Sequence, residues 1–195
     1  MVAQTTTHPT VYADRLITAD ELAAMPAQQD YELVLGRLVP VAPAATDHGA
    51  LGSNLTRLVM NHVYDHKLGR AYIAETGFDI TRPGDPGQTV LAAELAFVRA
   101  DRAPAPSRKP AFKRVVPDFV YEIASGGQTR DEMADKARLW TSRGVRLCWI
   151  QWPTRQTIDV WRPGDQAQRV LALDDDLDGE DVLPGFRCPV AAAFE

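Results

Sequence analysis

The sequence predicts an α/β domain, a mixed central sheet flanked by helices, with a core running helix, strand, strand, strand, helix, strand. Three observations carry that expectation. The chain has 195 residues, 45% of them apolar, which suits one sizeable core. Two capping boxes and one apolar stripe at helical spacing mark helices. Strongly apolar runs of strand length lie between loops rich in Pro and Gly.

Residues 1–16 are polar and without periodicity, which predicts a loose N-terminal arm ahead of a single domain over 17–195. Thr18-Ala-Asp-Glu21 is a capping box that opens a short helix through Met25, closed by Pro26. The run from Tyr31 to Val41 reads as two short strands turning near Gly36. Thr46-Asp47 is a candidate N-cap. After it Leu51, Leu55, Leu58, Val59 and Val63 recur at helical spacing until Gly69, giving one amphipathic helix. Strand candidates follow at about 70–81, 90–98 and 115–124. Thr129-Arg-Asp-Glu132 opens a second capped helix to about Ser142, and Gly144 stops it. Val145 to Trp152 is an apolar strand with Thr157 to Arg162 as its hairpin partner. A shorter strand near 168–173 and a terminal turn complete the chain.

Composition excludes several classes. Cys148 and Cys188 make neither a disulfide scaffold nor a four-thiolate zinc site. The sequence does not open with a basic segment and an apolar run, and no stretch approaches the ~20 apolar residues that span a bilayer. The expectation is a reduced, cytoplasmic protein with no membrane partner. A formal net charge of −5 argues against coating nucleic acid by bulk electrostatics. Charge is uneven, however: six Lys or Arg lie between Arg99 and Arg114 against one acid, Asp101. Arg102, Arg108, Lys109 and Lys113 are therefore candidate phosphate contacts, the alternative being a solvated loop.

Three residues stand apart from packing. Alternation in VLAAELAFV puts Glu94 on one face with Val90, Ala92, Ala96 and Val98, the one ionisable group in that apolar run. Burying it requires a partner or a metal, unless the strand lies at an edge with Glu94 in water. In the strand from Val115, Asp118 and Glu122 share a face about 13 Å apart at ~3.3 Å per residue. Glu122, deeper in the strand, is the better ligand, while Asp118 is an outer ligand or a structural residue. Lys136 lies within the apolar stripe of Met133, Ala137 and Trp140, where a lysine must snorkel to water or meet an anion. Carboxylates on neighbouring strands repel unless a cation sits between them, and oxygen ligands favour Mg²⁺ or Mn²⁺ over zinc. With a nearby ammonium, the set best serves metal-assisted phosphodiester hydrolysis. His62 and His66, four apart on one helix, are weighed as metal ligands together with His48, but no third ligand is suitably spaced. The four tryptophans read as core or interface aromatics, and the Trp-rich hairpin from Val145 to Arg162 suggests pairing of two copies as a homodimer.

The successive blocks YELVLGRLV, the helix containing His48, VLAAELAFV, VVPDFVYEIAS, the Lys136 helix and GVRLCWIQWPTRQTIDVWRPG resemble the Uma-two family of restriction-endonuclease-like proteins, in the PD-(D/E)xK nuclease superfamily. The resemblance runs from about residue 17 to 194 and implies a restriction-endonuclease-like core and an Mg²⁺- or Mn²⁺-dependent nuclease acting on nucleic acid, DNA first. It makes Glu122 the acidic residue of the third core strand. Lys136 is like the lysine this family holds on the following helix; position 124 is Ala, so the E-x-K lysine is absent from the strand. Glu32 matches the glutamate of the Y-E-L block and is implied as an accessory acid beside Glu94, Glu122 and Asp118. The sequence departs from the family at Ala93-Glu94, where Pro-Asp is usual, and at Ser125-Gly-Gly, where Ser-Pro-Ser is more frequent. The alternative is a catalytically degenerate nuclease fold acting in binding or dimerisation.

Overall fold

The computed structural model describes residues 15–41, 46–74, 76–105, 111–165 and 168–195. Arg108, Lys109 and all of the expected N-terminal arm except Arg15 and Leu16 lie outside the described residues. Thr18 caps α1 (Ala19–Ala23) by the reciprocal bonds of a capping box with Glu21. Next come β1 (Tyr31–Val34) and β2 (Arg37–Pro40), turning through Leu35 and Gly36, both at positive φ. The long helix α2 (Thr46–Asp65) buries Leu55, Val59 and Val63, the stripe its spacing predicts.

The run expected as one strand over 70–81 is two: β3 (Gly69–Ile73) and β4 (Gly77–Asp79). Likewise 90–98 divides into β5 (Val90–Ala92) and β6 (Leu95–Arg99). The ladder of this long hairpin breaks between the Ile73–Leu95 pair and the Gly77–Ala92 pair. Beyond the break its two halves join different sheets: β2-β1-β5-β4 in one, and β10-β9-β8-β7-β6-β3 in the other. Glu94 therefore lies at a corner between two strands, not in mid-strand as alternation predicts. β5 and β6 are largely buried on both faces, so no periodicity marks the corner between them.

The third core strand, β7 (Phe119–Ile123), begins four residues later than expected, after Pro117. It leads into α3 (Arg130–Arg143), capped by Thr129 and Glu132 and ended by Gly144 at φ 115°. α3 returns the chain to β8 (Leu147–Trp152), which runs parallel to β7, while the other paired strands of this sheet are antiparallel. This makes it the expected mixed sheet. The helices cover its two faces, α2 packing with Phe97, Phe119, Tyr121 and Trp149, and α3 with Ala96, Val120, Cys148 and Ile150. β9 (Thr157–Trp161) and β10 (Arg169–Leu171) extend the sheet, and β11 (Asp176–Asp178) pairs with β12 (Arg187–Pro189) as a separate ribbon.

Trp140, Trp149, Trp152 and Trp161 are all buried. The tryptophans of this hairpin thus fill the core, and the outer edge of β9 is taken by β10. Among the described residues no helix is long and apolar enough to cross a membrane.

Candidate active site

Four elements converge on one cleft of about 550 Å³. β7 is buried throughout and presents Glu122 on the face covered by α3, alternating with Tyr121 and Ile123 toward α2. Its carboxylate accepts a hydrogen bond from the Trp140 indole at 2.8 Å. Lys136, one turn before Trp140 on α3, extends its ammonium to the same group, 3.1 Å from Oε1 and 3.2 Å from Oε2. The lysine thus meets an anion within the stripe instead of reaching water. A second anion completes its surroundings, because Glu32 of β1 places Oε1 3.1 Å from Lys136 Nζ. Glu32 is held in turn by the Ala92 backbone N–H at 3.1 Å, and the Ala92 carbonyl accepts from Nζ at 3.4 Å.

Glu94 enters the cleft from the corner between β5 and β6. Its side chain keeps 30% exposure, and Oε1 lies 3.0 Å from His48 Nε2 on the first turn of α2. Neither edge exposure nor full burial describes it: it is bonded on one side and open to the cleft on the other.

Electrostatics follow from this crowding. Each Lys136–carboxylate attraction is about 5 kcal/mol at an effective dielectric near 20, before the cost of desolvating both charges. Burial pushes the Glu122 carboxyl up to about 7, with the Glu32 charge adding and Lys136 and the indole opposing. Burial alone would lower Lys136, but Glu122 and Glu32 outweigh it and hold the ammonium above the ordinary lysine range. Among the described residues, Asp30, Glu32, Glu94 and Glu122 share the cleft lining with one captive cation, Lys136.

The donor set fits a hard divalent cation. Mg²⁺ commonly takes one or two carboxylates and keeps several waters, and Glu94 and Glu122 offer two carboxylates to one cleft. Among the described residues no three His, Cys, Asp or Glu side chains gather as a ready-made metal site, so a cation here would take its remaining ligands from water.

Other candidates stand elsewhere. Asp118 precedes β7, at the opposite end from the cleft, and is 1% exposed. Its carboxylate accepts the Arg99 backbone N–H at 2.9 Å and the Arg102 guanidinium at 2.6 Å. It ties two loops together and does not line the cleft, so the accessory role expected for it is corrected to a structural one. Arg102 is committed to Asp118 and to the Val116 carbonyl, and Lys113 sits in a bridge to Phe78; neither lines the cleft. Of the described residues of this loop, Phe112 lines the cleft, while Arg102 and Lys113 do not.

Two neighbours were invisible as such from sequence alone. Trp140 is a core aromatic by position, yet its N–H orients the central carboxylate. His48 carries a readable signal, standing three residues before Leu51 and seven before Leu55 on the apolar stripe.

Comparison with known proteins follows the geometry. The profile of the Uma2 family, described as "Putative restriction endonuclease", matches residues 19–191. A solved structure titled as "a putative nuclease belonging to DUF820 from Anabaena variabilis" shares the fold. It superposes with a TM-score of 0.75 at 20% identity, over 91% of this chain and 97% of that one. None of the curated proteins matches the sequence.

Proposed function

The chain belongs to the Uma2 family, and from that premise we propose that it is a divalent-metal-dependent endonuclease hydrolysing phosphodiester bonds of nucleic acid, DNA first. The observation that carries this reading is the Lys136 ammonium held between Glu32 and Glu122 in a cleft that Glu94 also lines.

Glu94 and Glu122 would hold the cation, Mg²⁺ or Mn²⁺. Such a cation, when bound, supplies Lewis acidity that acidifies water and offsets phosphate charge. The remaining work belongs to the chain. Trp140 and Lys136 fix the Glu122 carboxylate, and the burial that raises its pKa makes proton loss near pH 7 part of loading the site. Among the described residues Lys136 is the one Lys or Arg lining the cleft, so it is the group placed to orient an attacking water or to neutralise charge developing on phosphate. Glu32, anchored on the Ala92 N–H, keeps that ammonium from collapsing wholly onto Glu122.

Nicking of supercoiled DNA in Mg²⁺ or Mn²⁺ tests the reading. The wild-type chain should cut and Glu122→Ala should not; equal cleavage by both removes the assignment. Metal binding with no cleavage favours the degenerate module instead. Pairing of two copies as a homodimer is part of the proposal, and sizing chromatography reads it directly.

A further inference from the structure

Glu94 is set apart from the other acids of the cleft by how it is held. Glu32 and Glu122 are fixed by backbone, indole and ammonium donors, whereas Glu94 is bonded by an imidazole, His48 Nε2 at 3.0 Å. An ionised carboxylate only accepts, so Nε2–H is the donor. The second ring nitrogen, Nδ1, is buried and has no protein partner among the described residues. The side chain is 12% exposed, so the imidazole is committed to Glu94.

The approach of α2 to the sheet is arranged for this contact. Gly52, one turn after His48 on the same side of the helix, has no Cβ where one would stand 2.7 Å from Ile123 Cδ1. Ile123 follows Glu122 directly in β7. The glycine lets the first turns of α2 close on the end of β7 that carries the cleft, and His48 reaches across to the corner between β5 and β6.

We propose that His48 is a positioning residue: its Nε2–H aims the Glu94 carboxylate, otherwise unsupported at a strand break, so that one oxygen is tied back and the other faces the cleft. The inference rests on the reading of Glu94 as a cation ligand. Hydrogen-bond partners of metal-binding carboxylates typically contribute 10–100-fold in metal affinity.

The test is calorimetric titration of the full chain with Mn²⁺, for the wild type, His48→Ala and His48→Gln, with thermal unfolding of each. His48→Ala should weaken binding about 10–100-fold. His48→Gln, whose amide N–H can replace the donor, should recover most of it, with unfolding temperatures unchanged. If His48→Ala is too unstable to measure, near-native binding by His48→Gln still supports the role, and its loss overturns it. Equal binding by His48→Ala and wild type overturns the positioning role alone. Equally weak binding by both variants also overturns it, since a direct imidazole–metal bond is then the better account. A wild type that binds no Mn²⁺ at millimolar concentration removes the metal-site reading itself, and this inference with it.

Discussion

The ammonium of Lys136 and the carboxylate of Glu122 stand 3.1 Å apart on α3 and β7, and this pair joins the fold's stability to its chemistry. The cation that helps to define the site also makes two buried or half-buried acids, Glu32 and Glu122, tolerable.

Lys136→Met should destabilise the protein by about 3–5 kcal/mol at pH 7.5, because it leaves Glu32 and Glu122 facing each other without a counter-charge. The loss should shrink at pH 5, where protons replace the ammonium. Urea titrations of Lys136→Met, Glu122→Gln and the double variant measure this; the double variant should lose less than the sum of the singles. Strict additivity would mean that the pair is not coupled.

The Glu122 carboxyl gives a pH signature of known sign. Its folded pKa, about 7, lies above the ordinary carboxylate value, so the folded chain holds an extra proton between roughly 4.5 and 7. Stability from this group is therefore highest below that window and falls as pH rises through it, by on the order of 3 kcal/mol. Lys136, shifted upward, contributes stability that is lost only at alkaline pH and does not disturb the window. The stability of the wild type relative to Glu122→Gln should fall between pH 4.5 and 7 and then level. Mn²⁺ affinity should move the other way, rising up to about pH 7 as the proton leaves.

Asp118→Asn separates structure from site. It weakens the partner of Arg102 and of the Arg99 N–H, and should lower stability by about 1–3 kcal/mol. Mn²⁺ affinity should be unchanged, since Asp118 lies off the cleft; a tenfold loss of affinity would restore it as an accessory acid.

Thr129→Ala removes the cap of the helix that carries Lys136, and should reduce stability by about 1 kcal/mol. Glu132→Gln, which retains the box geometry, should have the smaller effect in the same denaturation series.

How much of this was legible follows from the range of each interaction. Both capping boxes, the α2 stripe and the β7–α3–β8 succession are local patterns, and the structure follows them closely. Alternation puts Glu122 on one face with Val120, and the apolar stripe around Lys136 calls for water or an anion; that the two meet is visible only in the fold. The corner at Ala93–Glu94 was not legible, because it depends on which distant strands pair with each half of a uniformly apolar run. Glu32 came forward only through family resemblance, since nothing in YELV distinguishes a half-buried glutamate from a solvated one. Charge density pointed to the basic loop, yet sequence does not reveal that Arg102 is already engaged by an acid sixteen residues later.

The corner has a consequence for how this protein can vary. Position 94 belongs to no ladder, so a change of side-chain length there disturbs the register of neither sheet. Shortening it to aspartate trades reach within the cleft without taxing foldability, and the same scaffold can host a family of tuned or silenced variants separated by one methylene.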